Sequence, residues 1–267
     1  METINSANQT AVTVLNFAAE LDDMPRPIVV RATQYPAGFI IPPHRHRRAQ
    51  LVYASEGIMT VTTEQGMWVV PPQRAVWVPA LVEHCIRTTG RLSMRSLFIT
   101  PDAAPALPTA CCVVAVPPLL RELILYAVSR PRLYAPGSAD ERLMAVILDQ
   151  MQGLPVAPLY LPMPRDPRLQ AIAQGVLRDP ADPRMLTDWA RDVGASTRTL
   201  ARLFLADTGL TFRHWCQQAR LLEALRRLAS QEPVTTVALD LGYDSPSAFI
   251  AMFKRALGTT PGRYFSS

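Results

Sequence analysis

Near residue 45 the sequence PPHRHRRAQ sets two imidazoles and a carboxamide, His44, His46 and Gln50, at even spacing. Residues two apart along an extended strand share a face, so the three side chains would point the same way. Imidazole nitrogen suits Zn, Ni, Fe or Cu, and three such donors at about 2.1 Å would make a sufficient core for a divalent ion. Arg45, Arg47 and Arg48 stand beside them. They read either as partners for an anionic effector or as a solvated strand edge. A different chemistry is spelled near the other end, where STRTLAR places Ser196, Thr197, Arg198, Thr199 and Arg202 around the start of an amphipathic run. Such donors meet base edges and phosphates. A guanidinium can bond guanine bidentately, which makes Arg198 the leading base reader and Arg202 a phosphate contact.

The second group needs short helices to present it. From Pro233 to Tyr264 the pattern gives a helix, a sharp turn at Gly242, and a new helix opened by Ser245-Pro246. Phe249, Met252, Phe253 and Leu257 recur at helical spacing, Gly258 ends the run, and Pro261 blocks its continuation. Two short helices around a tight turn form a helix-turn-helix. The unit is repeated: Trp189-Ala190 before Gly194 matches Val237-Ala238 before Gly242 at an offset of forty-eight. Ser196, Leu200, Phe204 and Gly209 match Ser245, Phe249, Phe253 and Gly258 at forty-nine, the extra residue falling in the turn. A long helix from about Phe212 to Ala229 would join the copies, with Asp166-Pro167 and Asp182-Pro183 opening helices near 167–178 and 183–193. Leu200 and Phe204 face the core of the first recognition helix. In the second unit Ser245, Ser247, Ala248 and Ile250 take the equivalent face, with Lys254 near the DNA backbone and Ala251 where the first copy has Arg202. The first unit is thus expected to read more sequence and the second more shape and phosphate. Arg220 reads as a carboxylate partner or a phosphate contact.

From Trp189 to Tyr264 the chain resembles the DNA-binding domain of the AraC/XylS transcriptional regulators. The residues that carry the likeness include Ser196, Leu200, Arg202, Phe204, Gly209, Trp215, Gly242-Tyr243, Ser245, Phe249, Phe253-Lys254, Gly258 and Thr260-Pro261. The resemblance implies a promoter- or operator-binding activator or repressor. It also implies an effector-sensing N-terminal domain, a homodimer, and RNA polymerase as a further partner.

Upstream, from Pro27 to Thr100, short runs rich in Val, Ile, Trp and Tyr, among them 49–57, 58–66 and 93–99, alternate with Pro and Gly, which predicts seven or eight short strands in a sandwich or barrel. Pro43-His44-Arg45-His46, Gln50 and Gly57 resemble the first motif of the cupin barrel, and Pro79 to His84 the second. That resemblance makes His84 a third ligand beside His44 and His46, around one divalent ion. The sequence departs from the pattern at Gln50, where the usual residue is glutamate, and at Leu81, where it is glycine. Two occupants stay open: a metal ion, or a small organic effector in a metal-free pocket lined by Phe39, Tyr53, Trp68 or Trp77. The alternative activity is a cupin metalloenzyme fused to a DNA-binding domain. It lacks an evident acid or base beyond Glu56, Glu64 or Glu83, so a non-enzymatic regulator is expected.

The 267 residues suffice for two domains. The expected fold is α+β in two domains: a cupin-type β-barrel, then an all-α domain of two helix-turn-helix units. The sensing domain would occupy 1–155, with its barrel at about 27–100 and amphipathic helices at about 117–152. Those helices would pack on the barrel or pair two subunits. Five prolines between 155 and 167 predict a stiff linker at 156–166, leaving 167–267 for DNA binding. Net charge is +5, and from Arg165 onward fourteen basic against ten acidic residues place +4 there, as a phosphate-bearing partner would favour. Cys85, Cys111, Cys112 and Cys216 show no disulfide spacing, and no signal peptide or membrane span is evident, so a cytoplasmic protein with no membrane partner is expected.

Overall fold

The computed structural model describes residues 20–103 and 105–265. They divide into two compact units: the chain up to Thr63 together with Val70–Ala157, and Glu64–Val69 together with the chain from Pro158 onward.

Strands run in the order β1 (Ile28–Tyr35), β2 (Ile40–His44), β3 (Ala49–Thr63), β4 (Gly66–Val70), β5 (Arg74–Val78), β6 (His84–Ile99), β7 (Cys112–Ala115), β8 (Val156–Ala157) and β9 (Tyr160–Pro162). In the first unit β3 and β6 pair antiparallel, from Ala49 opposite Ile99 to Thr62 opposite Cys85. β1 and β2 lie along β6, β5 along β3, β7 along β5 and β8 along β7. Alternation along β3 divides labour between the two faces. Leu51 and Tyr53 join a core with Leu120 and Ile124 of α1 (Pro118–Ala127) and with Met144, Ile147 and Met151 of α2 (Ala139–Met151). Gln50, adjacent to Leu51 on the strand, turns to the other face.

Two expectations about strands are corrected. Residues 49–63, read as two strands, form one fifteen-residue strand, and 84–92, not read as a strand, opens β6. Gly57, the last residue of the run 49–57, is expected to end a strand. Gly57 instead sits at φ +83° where the register shifts, and a Cβ there would collide with the Arg91 carbonyl oxygen. It permits close approach at a bend. Arg48, read with its neighbours as solvated or anion-binding, is buried at 3 % exposure, and its guanidinium donates to the carbonyls of Met24 and Arg26. Arg47 pairs with Asp22 and Asp23.

In the second unit the helices are α3 (Pro167–Arg178), α4 (Leu186–Asp192), α5 (Thr197–Thr208), α6 (Phe212–Ala229), α7 (Val234–Asp240), α8 (Pro246–Leu257) and α9 (Pro261–Phe265). The stretch 158–166, expected as linker, is extended but tethered. β9 pairs with β4, Tyr160 stacks on Trp68, and the Trp215 indole donates to the Pro162 carbonyl at 2.7 Å. Asp166 caps α3, accepting from the Arg168 N–H. Asp182 does not open a helix, because its carboxylate accepts from the Arg184 N–H and pairs with that guanidinium. α4 therefore starts three residues later than Pro183, where Asp188 reaches back to the Met185 N–H at 3.0 Å. The α4–α5 and α7–α8 pairs are the two copies. Gly209 and Gly258 end α5 and α8 in the left-handed region, at φ +70° and +79°.

Candidate functional site

The first site grows from strand pairing. β2 and β6 set His44 directly opposite His84, and the ring centres stand 4.3 Å apart. His46 lies past the end of β2, so strand alternation does not place it. The loop does, through a hydrogen bond from the Leu81 N–H to the His46 carbonyl at 2.9 Å. Leu81 holds φ +64°, the conformation a glycine would adopt without strain. Gln50 comes in from β3. All four side chains are buried, and one nitrogen of each histidine lies within 4.8 Å of the others.

The hydrogen bonds fix the chemistry of this cluster. Nδ1 of His44, His46 and His84 each meets a backbone carbonyl, of Pro42, Arg48 and Val82 respectively, at 2.9, 2.5 and 2.9 Å. A carbonyl only accepts, so Nδ1 of each ring carries a proton, which leaves Nε2 of a neutral ring with its lone pair free for the site. Burial pushes the His84 imidazole down to about 3, with His44 adding to the effect, and burial lowers His44 as well. Both rings are neutral at pH 7, the state in which imidazole binds metal. A backbone-held Nδ1–H is also the support that orients a metal-bound histidine.

Gln50 adds a further constraint. Its Oε1 stands 3.1 Å from His46 Nε2 and 3.2 Å from His84 Nε2, while its Nε2 donates to Ser96 Oγ at 3.0 Å. In this orientation acceptors face acceptors, an arrangement that a cation between them would satisfy. With the amide turned over, its NH2 would donate to both imidazoles and its oxygen would accept from the Ser96 hydroxyl. The carboxamide therefore serves an empty site and a filled one. A glutamate would serve only the filled one.

The space beside His44, His46 and Gln50 is about 30 Å³, bordered also by Arg31, Tyr35, Ile86 and Phe98. One water needs on the order of 10–15 Å³ on this measure, so the cavity suits an ion and its water. The aromatic residues considered for an organic pocket lie elsewhere: Tyr53 and Trp77 in the core beneath α1 and α2, and Trp68 on Tyr160. Phe39 stacks on Tyr35 at the cavity's border. Ser96 and the three carbonyls were missed by sequence reasoning. Only the alternation of Met94, Ser96 and Phe98 on β6 could have pointed to Ser96.

The second site lies on α5 and α8. Ser196 and Ser245 are N-caps, accepting from the Thr199 and Ala248 N–H groups at 3.2 Å, and the Ser196 and Thr199 hydroxyls bond each other at 2.9 Å. Leu200, Phe204, Phe249 and Phe253 are fully buried. That burial turns Arg198 and Arg202, one helical turn apart, outward on α5, and Ser247, Ala248, Ala251 and Lys254 outward on α8. Thr197, Thr199 and Ile250 are half-buried at the margin. Arg220 is half-buried, and its guanidinium donates to the carbonyls of Pro180 and Asp182 at 2.6 and 3.4 Å.

Residues 189–267 match the helix-turn-helix domain family, and residues 31–100 the cupin domain family. The chain is 41 % identical over 225 residues to the HTH-type transcriptional regulator NimR of Escherichia coli, covering 84 % of this chain and 82 % of that protein. It is 34 % identical over 103 residues to the HTH-type transcriptional regulator RipA of Corynebacterium glutamicum, covering 39 % of this chain and 31 % of RipA. Among solved structures, ToxT of Vibrio cholerae aligns over 90 % of this chain and 98 % of its own at 10 % identity and a TM-score of 0.38. No helix among the described residues is long and apolar enough to cross a membrane. Two helix-turn-helix copies behind a cupin domain, shared over most of the length of a named regulator, place the chain in the AraC/XylS family of DNA-binding transcriptional regulators.

Proposed function

We propose that this regulator senses a divalent metal ion, held by His44, His46 and His84 with Gln50 facing them, and that ion binding alters its hold on DNA. The observation that carries this reading is the Gln50 carboxamide set 3.1 and 3.2 Å from two imidazoles whose Nδ1 protons are committed to carbonyls. A site that loads and unloads needs a ligand tolerable in both states, and a neutral amide is one. Bound, the ion would supply a fixed positive charge and an open coordination position for a further ligand. The small cavity favours the ion over an organic effector.

On the DNA side, Arg198 reads a base edge and Arg202 and Lys254 hold phosphates. Ser247, Ala248 and Ile250 fit the groove by shape, and Ser196, Thr197, Thr199 and Ser245 order the helix starts. The sensing part extends to about residue 155 and the DNA-binding part begins near 167. The protein acts in the cytoplasm as a homodimer on operator DNA, as a regulator and not an enzyme.

The test measures metal per chain in protein purified without an affinity tag, beside a His44→Ala/His46→Ala variant. DNA recovered by the chain from a random-sequence pool is then bound with and without the ion. About one ion per chain, lost in the variant, with a shift in DNA affinity on loading, supports the proposal. No uptake after adding back Zn, Ni or Fe refutes it.

A further inference from the structure

Beyond Arg198 and Arg202 on α5, the helical unit carries two further exposed arginines that share one groove. Arg213 lies in the first turn of α6 and Arg255 near the end of α8. Both are exposed, and neither side chain makes an ion pair or hydrogen bond among the described residues. Four other arginines of this unit are committed to carboxylates: Arg168 to Asp166, Arg191 to Asp188, Arg226 to Glu223, and Arg227 to Glu232 and Asp240.

Arg213 and Arg255 line one groove of about 660 Å³. Its walls come from both copies of the repeat: Ala201 of α5 on one side, Tyr243 and Met252 on the other, and Thr211 and Phe212 at the head of α6. The groove therefore lies between the two recognition helices. Arg184 and Arg220 also border it, but Arg184 is paired with Asp182 and Asp192, and Arg220 is bonded to carbonyls. Asp182, the carboxylate on the groove wall, is already neutralised by Arg184. Arg213 and Arg255 are left as like charges on one surface, which an anion with several acceptor oxygens would bring from repulsion to attraction. Two recognition helices reading one duplex leave a stretch of sugar-phosphate backbone to pass between them. We propose that Arg213 and Arg255 grip that phosphate backbone between the two recognition helices, setting affinity and register without reading bases.

This rests on the DNA-binding reading above, and the experiment separates the two. The full chain is bound to the duplex it enriches from a random pool, across a series of salt concentrations. Each phosphate contact contributes about 0.9 to the slope of log affinity against log salt. Arg213→Gln and Arg255→Gln should each flatten the slope by about that amount, and the double variant by about 1.8, with the selected sequence unchanged. Arg213→Lys and Arg255→Lys should restore most of it. Arg178→Gln, at an exposed arginine of α3 away from the groove, should leave the slope as it is. An equal loss from Arg178→Gln would reduce the effect to net charge and overturn the proposal. So would unchanged slopes in both groove variants of a parent that does select a sequence. A parent that enriches no sequence sinks the DNA reading itself.

Discussion

Replacing Gln50 by glutamate changes one amide nitrogen to oxygen and restores the residue cupins usually carry, so its effect isolates what the carboxamide does. With an ion present, the new carboxylate is a full negative charge beside it. A unit charge pair at 4 Å is worth about 4 kcal/mol at an effective dielectric of 20, and desolvating a carboxylate at 3 % exposure takes back much of that. A net gain of about 1.4 to 2.8 kcal/mol corresponds to roughly tenfold to a hundredfold tighter binding. Without an ion the sign reverses. The carboxylate has no N–H to offer His46 or His84, and a buried group left without its hydrogen bonds costs about 1 to 3 kcal/mol. Ser96 can still donate to it, so the loss comes from the imidazole side. Competition with a chromophoric chelator reads the Zn affinity, and thermal unfolding with and without Zn reads the stability. The Gln50→Glu variant should melt below the parent when stripped and show the larger rise on loading. Equal affinity in parent and variant, or the same destabilisation with and without Zn, would show that Gln50 does not face the ion.

Other expectations follow from single contacts. In the ion-free protein the fold holds the His84 imidazole near 3 and His44 below its usual 6.5, while the unfolded chain titrates at the ordinary value. Between those pH values the unfolded chain takes up protons that the fold refuses. Stability should therefore fall as pH drops from 6.5 toward 3, by up to about 1.4 kcal/mol per pH unit for each such ring, measured by urea unfolding at pH 7 and 5. Leu81→Gly removes the left-handed strain of an exposed leucine. It should stabilise by roughly 0.5 to 1 kcal/mol after glycine's greater chain entropy is counted, raising the melting temperature without altering Zn affinity. Gly175→Ala would drive a Cβ into the Trp189 ring between α3 and α4, and should destabilise by about 1 to 3 kcal/mol with a changed near-UV signal from that indole.

What could be read from the sequence was what short-range chemistry dictates. Ser196, Ser245, Asp166, Gly209 and Gly258 each act within a few residues of their own position, and the helices they bound start and stop accordingly. Asp182 shows the limit. The same Asp-Pro spelling that opens α3 here folds into a turn, because Arg184 competes for the carboxylate and Asp188 caps the helix further on. In the β unit the decisive facts are long-range. His44 and His84 are forty residues apart and meet only through β2–β6 pairing, and His46 reaches them through a bond to Leu81 that no strand periodicity encodes. Gly57 carried a turn-like signal because a bend inside a long strand and a break between two strands ask the same of glycine. Arg48, polar by type, is buried because carbonyls of the segment around Met24 to Arg26 receive it.

The repeat shows how one scaffold can divide its work by charge alone. α5 and α8 share their N-cap serine, their buried aromatic spacing and their left-handed terminal glycine. Their exposed faces differ: cations stand at Arg198 and Arg202 in the first two turns of α5, but at Lys254 and Arg255 in the last turns of α8. The start of a recognition helix is the part that reaches base edges, and its far end runs out toward the backbone. Arg198→Ala should therefore relax base preference in a binding-site selection, whereas Ser247→Ala, at the matching position, should leave preference nearly intact. Equal relaxation by both would mean that shape and hydroxyl contacts at Ser247 read sequence as strongly as a guanidinium does, and the division of labour argued from charge would fail.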